Sequence, residues 1–308
     1  MSTARKVVIA GGTGLIGRAL VGQFVAEGWL PVILSRSANP NALHKHVVWD
    51  AKTAGDWVAE LEGAEAVVNL TGESIAQKWT LANQQRIRDS RIDATHVIGN
   101  AIGQCKQPPK RWINASAVGY YGHTGDETVD ESSEAGPDHD FLATTCKAWE
   151  QALWDSPTPN THKCALRVGV ALSAEGGILK VLIALTKAFL GGPVGSGRQY
   201  VPWIHIRDLS RLFTACASKD SAKILLGVAP QTVTNREFMA DLRELLGRPW
   251  APPAPAFGVQ LASLFGAPDP ALILEGARAY PKAALDDGFS FEFPHLRAAL
   301  KDLLADSR

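Results

Sequence analysis

The chain lacks an excess of charge of either sign, and it lacks a long apolar run. Its 308 residues include 31 Lys and Arg and 31 Asp and Glu, so the formal net charge is zero. A chain without an overall basic field is poorly suited to hold a phosphate backbone, and nucleic acid is not an expected partner. The most apolar stretch beyond the N-terminal region, Val181 to Leu190, contains Lys187 and is too short to span a bilayer. A membrane is therefore not an expected partner either.

Cysteine is also scarce, and its spacing forms no motif. The four cysteines lie too far apart for a CxxC zinc spacing and are too few for a secreted disulfide scaffold. The apolar run before the first glycines is too short to be the core of a signal peptide. We therefore expect a cytoplasmic protein without a metal site, with reduced thiols at Cys105, Cys146, Cys164 and Cys216.

The composition is typical of an ordered globular chain, with 46% apolar and 20% charged residues. Its clearest signal is a β-branched run, Lys6 to Ala10, followed by a glycine-rich turn and by apolar residues at helical spacing. Glycines spaced G-x-x-G-x-x-G let backbone N–H groups at a helix N-terminus approach a pyrophosphate, although a glycine triplet also occurs in turns that bind nothing. The candidate pyrophosphate-binding residues are Gly11, Gly12, Thr13, Gly14, Leu15, Ile16 and Gly17.

The next predicted strand, Pro31 to Leu34, is followed by Ser35 and Arg36. Proteins that bind NAD usually place an Asp or Glu at this point to hold the ribose 2′-hydroxyl. A hydroxyl followed by a guanidinium suits a 2′-phosphate, because the planar fork of Arg forms charge-assisted hydrogen bonds with it. The pair predicts NADP(H) rather than NAD(H); the alternative is that Arg36 only solvates a loop.

Two further predicted strands end in polar residues. The strand Ala64 to Leu70 is buried, and the residues at its exit should run along the cofactor. The strand Trp112 to Ala115 is followed by Ser116 and by Tyr120 and Tyr121, so a hydroxyl and two phenols reach the same edge of the sheet. We expect the chemistry at this edge, with cofactor contacts from Leu70, Thr71, Gly72 and Glu73.

A helix predicted from Leu81 carries a polar register beside its apolar face. These polar side chains face either the cleft or solvent, and the pattern leaves both possibilities open. They are Arg86, Ser90, Arg91 and Thr95.

Taken together, these segments resemble the extended short-chain dehydrogenase/reductases over essentially the whole chain. Within that family the resemblance is closer to an atypical, epimerase-like branch. The residues that carry it are Gly11, Gly14, Gly17, Ser35-Arg36, Leu70 to Glu73, Ser90-Arg91, Thr95, Ser116, Tyr121-Gly122, Lys147, Gly191 to Gly197, Pro202 to Leu209 and Asn235.

The resemblance implies an α/β fold, namely a doubly wound parallel Rossmann sheet with a smaller, mainly C-terminal substrate domain. It implies an NADP(H)-binding core at residues 1–170, completed by 200–228, and a substrate domain at 171–199 and 229–308. It further implies that Arg91 and Lys147 contact the cofactor, with Lys147 on the nicotinamide ribose. The implied substrate-binding residues are Arg198, Trp203 and His205.

One position departs from the resembled family. In its catalytic members a Tyr precedes the helix Lys by four residues, so both lie on one helix face and the ammonium lowers the pKa of the phenol. Here the residue four before Lys147 is Ala143. We predict that Ser116 and Tyr121, together with Lys147, transfer the proton. The alternatives are a protein without turnover, or another cleft group from the set Glu73, Cys146 and His205.

The C-terminal half is predicted to be mainly helical. We expect a helix from Leu209 to Ala217 with Asp208 as its N-cap. Apolar spacing predicts further helices after a proline-rich connector, at Val259 to Phe265, Ala271 to Ala279 and Leu296 to Leu304.

The sequence thus predicts an NADP(H)-dependent oxidoreductase or epimerase that acts on a nucleotide-linked sugar or another small carbonyl compound. The alternative function is a non-catalytic redox sensor that binds NADP(H) and presents the outcome to a protein partner. In the first case the expected partner is a small-molecule substrate, and the chain is compatible with a homodimer.

Overall fold

The structure is a computed structural model that describes residues 5–39, 41–248, 250–264 and 268–305. Two short 3-10 helices, Asp56–Glu60 and Val118–Tyr121, lie among its loops. The strands are β1 (Lys6–Ala10), β2 (Leu30–Ser35), β3 (Lys45–Val48), β4 (Ala66–Asn69), β5 (Arg111–Ala117), β6 (Thr128–Val129), β7 (His162–Val168), β8 (Val170–Leu172), β9 (Tyr200–Val201), β10 (Trp203–His205), β11 (Ile224–Gly227), β12 (Val233–Thr234) and β13 (Arg278–Ala279).

The helices alternate with the strands of the first half and dominate the second half. In the described part of the chain, none of them is both long and apolar enough to cross a bilayer. They are α1 (Leu15–Ala26), α2 (Leu81–Gln104), α3 (Phe141–Trp154), α4 (Gly177–Lys187), α5 (Ile206–Ser218), α6 (Asn235–Leu245), α7 (Ala256–Leu264), α8 (Ala271–Leu274), α9 (Lys282–Asp286) and α10 (Leu296–Ala305).

Seven strands of the described residues form one parallel sheet in the order β11-β7-β5-β4-β1-β2-β3. In this sheet Val8 of β1 lies opposite Val32 of β2 on one side and opposite Val67 of β4 on the other. The winding direction therefore reverses at β1, and open α/β sheets bind ligands at the carboxyl ends of the strands beside such a reversal. The predicted fold class, a doubly wound Rossmann sheet, is confirmed.

The two faces of the sheet carry separate apolar layers because successive side chains of a strand point to opposite faces. Ile9 of β1 packs on one face with Phe24 of α1 and Phe213 of α5. Its neighbour Ala10 packs on the other face with Ile98 of α2. Because both layers are buried, the strands are held rigidly between the helices. The carboxyl ends of the strands, where the candidate site lies, are held in place with them.

A third apolar cluster lies outside the sheet and is built mainly by the second half of the chain. Leu179 of α4, Phe238 of α6 and Leu300 of α10 pack there with Trp203 of β10. Before α10, the C-terminal segment contacts the main sheet, where Ala277 belongs to a small apolar cluster beside the end of β5. The domain division stated above stays a prediction.

One predicted strand is divided in the structure. The apolar run Cys164 to Val170 predicts one more strand, but β7 ends at Val168 and β8, which begins at Val170, pairs with β10 instead. A Cβ on Gly169 would lie 2.0 Å from the carbonyl oxygen of Pro202. Glycine is thus required where the chain leaves the main sheet.

The predicted C-terminal helices are correct in part. The helix expected at Ala271 to Ala279 stops after Leu274, because the chain at Gly276 passes so close to Tyr200 that a Cβ would lie 2.0 Å from its carbonyl oxygen. α7 and α10 correspond to the other two predictions, although Phe265 lies outside the described residues.

Candidate functional site

Two glycines of the turn after β1 are required by the fold itself. A Cβ on Gly17 would lie 2.5 Å from the carbonyl oxygen of Gly11, and a Cβ on Gly12 would lie 2.9 Å from the side chain of Ile33. Gly11 also has a φ of +78°, which L side chains rarely adopt. These positions let α1 pack closely on the sheet.

Gly14 differs, because the protein leaves space for a side chain there. A Cβ at this position would meet only the Gly11 carbonyl oxygen, at an ordinary 3.5 Å. Gly14 is the N-cap of α1, with no side-chain cap and no acidic residue in the first turn. Beside it Thr13 is exposed, and Leu15 and Ile16 are half-buried. An uncapped helix N-terminus with free approach suits an anion such as a phosphate.

The loop after β4 lies against this turn. A Cβ on Gly11 would lie 3.1 Å from the carbonyl carbon of Leu70. The backbone N–H of Thr71 donates to Asn69 Oδ1 at 3.0 Å, while the buried Thr71 hydroxyl has no partner among the described residues. The structure therefore brings together two segments that the sequence predicted to share a ligand.

Arg91 of α2 links this loop to the deeper part of the cleft. Its Nη1 atom donates to the carbonyl oxygens of Glu73, at 3.1 Å, and Ile87, at 2.8 Å. Its guanidinium lies 2.9 Å from the position of a Cβ on Gly72 and 5.1 Å from the ring centroid of Trp149. Burial lowers the pKa of Arg91. The guanidinium thus forms one wall of the site, with part of its hydrogen-bonding capacity used by the backbone.

Glu73 points toward the surface. Its carboxylate accepts a hydrogen bond from Gln77 and pairs with Arg86 at 3.2 Å, and these contacts hold the pKa of Glu73 below its usual value. A carboxylate that is ionised and paired in this way is a weak proton donor.

At the other end of the cleft, Ser35 is the last residue of β2 and Arg36 follows it. Ser35 is buried and its hydroxyl donates to Ser37 O at 2.7 Å. Arg36 is exposed and lines a cavity of about 430 Å³ together with Asp50 and Thr53. Hydrogen bonds from the Thr53 backbone and hydroxyl and from the Lys52 backbone lower the pKa of Asp50 to about 2, so its acceptor sites serve the local turn.

A buried polar network missed by the sequence analysis lies under the cleft. Asn69 Nδ2 donates to Asn114 Oδ1 at 2.7 Å, and Trp149 Nε1 donates to Thr95 Oγ1 at 3.0 Å. The Thr95 hydroxyl in turn donates to the carbonyl oxygen of Arg91 at 2.8 Å. The network connects the ends of β4 and β5 to α2 and α3. The sequence signal for it was an asparagine within each of two buried strands, Asn69 and Asn114.

A second buried network holds two of the predicted catalytic residues. Arg167 of β7 forms a bidentate ion pair with Glu150 of α3, with both N···O distances 2.8 Å. The Ser116 hydroxyl donates to Glu150 Oε1 at 2.6 Å, and Arg167 Nη1 donates to the Tyr121 hydroxyl at 2.7 Å. Neither Glu150 nor Arg167 was among the candidate residues. Glu150 lies on α3 and Arg167 on β7, and only the folded structure brings the two side chains together.

The geometry around Tyr121 does not support its predicted role. The phenol donates to Asp130 O at 2.7 Å and accepts from Arg167, and the side chain is 4% exposed. Burial raises the pKa of Tyr121. Ser116 is equally buried and its proton is directed at Glu150. Proton transfer by this pair stays a prediction, and it would require both hydroxyls to leave their present partners.

Lys147 contacts a surface carboxylate, and its predicted contact with the nicotinamide ribose stays a prediction. Its ammonium pairs with Asp138 on the surface, and Ala143 is fully buried. The residues of α3 that line the cleft are Phe141, Leu142, Thr145, Cys146 and Trp149. Lys147 is not among these lining residues.

Cys146 cannot act as a thiolate here. Its side chain is buried, and burial together with the nearby Glu150 carboxylate raises its pKa to about 12. A thiol in such surroundings stays protonated and unreactive.

The predicted substrate-binding residues lie elsewhere. Trp203 is in the third apolar cluster, and its indole N–H donates to Gln231 O at 3.0 Å. His205 is also buried; it is the N-cap of α5, where Nδ1 accepts from the Arg207 backbone N–H at 3.0 Å. Arg198 is exposed and pairs with an aspartate. Substrate binding by these residues stays a prediction that the geometry does not support.

The predicted cap of this helix is also wrong. Asp208 was expected to be the N-cap, but α5 begins three residues earlier than predicted, at Ile206, with His205 in that role. Asp208 is fully buried and accepts hydrogen bonds from the backbone N–H groups of Glu292 and Phe293. It therefore anchors the C-terminal segment rather than the helix end.

A cavity of about 540 Å³ opens at the carboxyl edge of the sheet. Its walls come from the ends of β5 and β7, from α3 and from the C-terminal residues 271–277. Thr145 lies in this wall, is 3% exposed, and its hydroxyl has no partner among the described residues. The other polar or titratable side chains of the wall include Arg91, His123, His139, Asp140, Cys146 and Glu275.

Comparison with known proteins places this site in a family. Residues 7–226 match the NAD dependent epimerase/dehydratase family, and residues 254–303 match a domain of unknown function, DUF1731. The human epimerase family protein SDR39U1 is 36% identical over 304 residues, which cover 97% of this chain and 100% of that protein.

Two solved structures share the fold along most of the chain. A crystal structure of human SDR39U1 (isoform 2) with NADPH has a TM-score of 0.87 at 34% identity, and the match covers 98% of this chain and 99% of the other. A nucleoside-diphosphate sugar epimerase from Corynebacterium glutamicum has a TM-score of 0.77 at 30% identity, covering 98% of this chain and 58% of that one. This chain therefore belongs to the NAD dependent epimerase/dehydratase family.

Proposed function

We propose that this protein binds NADP(H) along the carboxyl edge of the sheet and uses it to oxidise or reduce a small molecule in the adjacent cavity. The observation that carries the proposal is the uncapped N-terminus of α1, where Gly14 leaves space that the protein does not fill. The relative crystallised with NADPH supports the same assignment. When bound, NADPH supplies a hydride.

The residues present fit this cofactor. The first turn of α1 would hold the pyrophosphate, and the unpartnered hydroxyl of Thr71 lies in the adjoining loop. Ser35 and Arg36 would hold the 2′-phosphate, because β2 is followed by a hydroxyl and a cation rather than by the carboxylate that selects NAD. Arg91 would face the cofactor from α2 and separate it from the solvent side of the loop.

Proton transfer is assigned to the cavity rather than to the buried hydroxyls. Ser116 and Tyr121 donate their protons to buried partners, and Lys147 pairs with an exposed carboxylate. The cavity wall itself carries two carboxyl groups, Asp140 and Glu275. Burial and the neighbouring Asp140 raise the pKa of Glu275, which is the direction of shift expected of a general acid.

The test is a parallel titration with NADPH and NADH. Binding is monitored through energy transfer from tryptophan to the reduced nicotinamide. NADPH is expected to bind more tightly. Arg36→Ala should weaken NADPH binding about tenfold or more through the loss of charge-assisted hydrogen bonds and leave NADH nearly unchanged. Arg88→Ala, which removes an exposed arginine from α2, is the matched control. Equal losses for both nucleotides would remove the 2′-phosphate role of Arg36.

A second candidate function is an NADP(H)-binding redox sensor without turnover. The observation that favours it is Ala143, which stands where catalytic members are expected to present Tyr and is fully buried. The two functions separate when the NADPH-loaded protein is mixed with carbonyl compounds and nucleotide sugars and the absorbance of the reduced nicotinamide is followed. Oxidation of the cofactor supports the enzyme, and a bound cofactor that no compound oxidises supports the sensor. The small-molecule partner, the homodimer and the cytoplasmic location stay predictions.

A further inference from the structure

The cavity beside the proposed cofactor site has mainly apolar walls, two carboxyl groups and one unpartnered hydroxyl, and these features select its ligand. We propose that it takes an uncharged, mainly apolar carbonyl compound and excludes nucleoside diphosphate sugars, with the Thr145 hydroxyl as hydrogen-bond donor to the carbonyl oxygen. The inference deepens the proposed function and rests on it for the reaction, but the binding site stands on its own geometry.

The walls of the cavity are dominated by apolar groups. Trp79 and Phe141 lie on one side with their ring centroids 5.1 Å apart, and Leu142 continues that wall along α3. Leu272 of α8 faces the cavity from the C-terminal segment, so the domain of unknown function contributes to the same surface. Surfaces of this kind gain free energy by burying apolar ligand atoms.

The cations that a diphosphate would need are engaged elsewhere. Among the described residues that line the cavity, Arg91 is the one Arg or Lys, and its Nη1 atom is already used by two carbonyl oxygens. The ammonium of Lys147 pairs with Asp138, and Arg198 pairs with Asp126 at 3.4 Å on the exposed surface. A buried diphosphate without paired cations would retain a large desolvation cost.

Negative charge at the cavity further disfavours an anion. The carboxyl groups of Asp140 and Glu275 both line it, and they are close enough for Asp140 to raise the pKa of Glu275. An additional anion would be repelled by Asp140, whereas an uncharged ligand would not. The wall therefore discriminates by charge as well as by polarity.

Thr145 provides an independent sign of a ligand. Its residue lines the cavity, and its buried hydroxyl has no hydrogen-bond partner in the described structure. A buried hydroxyl without a partner is costly, and a carbonyl oxygen would satisfy it. An unpartnered donor in a mainly apolar wall suits a ligand with one acceptor group.

The test uses the full-length protein and three compounds of similar size: acetophenone, para-acetylbenzoate and ethylbenzene, with UDP-glucose as the competing class. Calorimetric titration is expected to show acetophenone binding, and para-acetylbenzoate binding about tenfold more weakly because of the added carboxylate. UDP-glucose is expected neither to bind nor to displace acetophenone. Binding of UDP-glucose at the cavity, or tighter binding of para-acetylbenzoate, would overturn the proposal.

Two variants test the named groups. Thr145→Val should weaken acetophenone binding about fivefold while leaving ethylbenzene unchanged, and Thr145→Ser should restore it. Asp140→Asn, which removes the charge and keeps a side chain that can cap α3, should reduce the discrimination against para-acetylbenzoate. If Thr145→Val instead weakens NADPH and leaves acetophenone unchanged, the hydroxyl serves the cofactor and the proposed role is wrong.

Failure of the inference and failure of the proposed function give different results. A protein that binds acetophenone but not NADPH retains the cavity assignment and loses the oxidoreductase. A protein that binds NADPH and UDP-glucose retains the cofactor and loses the ligand class.

Discussion

Gly14 and Gly17 belong to the same turn, but they are needed for different reasons. At Gly17 a Cβ would overlap the backbone of Gly11 and Gly12, at 2.5 and 2.6 Å. At Gly14 the nearest protein atom would be a full 3.5 Å away. The protein's own packing therefore leaves room for a side chain at Gly14 but not at Gly17.

The two alanine substitutions should therefore have opposite effects. Gly17→Ala is expected to lower the free energy of unfolding by about 1–3 kcal/mol, because the backbone must move to relieve the overlap. Gly14→Ala should change stability by less than about 1 kcal/mol, since it removes no side-chain cap, and should abolish NADPH binding by filling the approach to the helix N-terminus. Urea denaturation and nucleotide titration measure the two effects. A Gly14→Ala protein that binds NADPH as before would place the pyrophosphate elsewhere.

The buried pair Glu150 and Arg167 is expected to be the most sensitive contact beneath the cleft. Arg167→Met should cost about 3–5 kcal/mol of unfolding free energy, because it leaves the Glu150 carboxylate buried with only the Ser116 hydroxyl as partner. The double variant Arg167→Met/Glu150→Gln should recover part of that loss, because no buried charge remains. Denaturant unfolding of the three proteins checks this. Equal stability of the single and double variants would show that the charge itself is not the source of the cost.

At the scale of elements, the N-terminus of α5 couples stability to pH. His205 caps this helix, stacks on Phe293 at a centroid distance of 4.0 Å, and contacts Asp302 at 3.1 Å. Burial, the main cause, lowers the pKa of His205 in spite of that carboxylate. The unfolded chain thus binds a proton at a higher pH than the folded chain. The contribution of His205 to stability is complete above its unfolded pKa of about 6.5 and decreases as the pH falls from there through the folded value.

His205→Asn should remove this part of the pH dependence while retaining a side chain that can cap the helix. We expect the free energy of unfolding of the native protein to decrease as the pH falls below about 6.5, and that of the variant to decrease less. Urea unfolding of both proteins at a series of pH values gives the difference. Parallel stability curves would mean that His205 titrates alike in the folded and unfolded chains.

Most of the elements near the site could be predicted from the sequence because their signals are local. The β-branched run before Gly11, the apolar spacing of α2 and the strand before Ser116 each gave an element in its observed place. The breaks at Gly169 and Gly276 could not be predicted, because they result from the close approach of Pro202 and Tyr200, which lie far away in the sequence.

The register of α3 shows which contacts of the site depend on packing. Lys147 was a natural choice from the sequence, since a lysine on the helix after the chemistry-bearing strand is what the resemblance leads one to seek. The helix, however, is rotated so that Leu142 and Cys146 face the cavity and Lys147 reaches Asp138. One residue along a helix changes direction by about a hundred degrees, so the choice of partner depends on packing that the sequence alone does not reveal.

At the scale of the whole molecule, the C-terminal segment contributes to two apolar clusters and to the wall of the cavity. Ala284 of α9 packs into the apolar layer of the main sheet, and Leu300 of α10 packs into the third cluster. Between α7 and α9 the chain supplies Leu272 and Glu275 to the cavity. Because the same segment completes two cores and one wall of the cavity, we expect the protein to unfold as one unit rather than as two independent domains.

Binding of NADPH should therefore stabilise the entire chain in a single transition. A ligand that binds only the native state at a free concentration of about one hundred times its Kd raises the unfolding free energy by about 2.7 kcal/mol. NADH at the same concentration should give a smaller increase, because Ser35 and Arg36 have no 2′-phosphate to hold. Urea unfolding followed both by tryptophan fluorescence and by circular dichroism measures the shift and tests the coincidence of the two probes. If NADPH shifted only one of the two transitions, the C-terminal segment would be an independent domain, and its contribution to the cavity would have to form after the cofactor site.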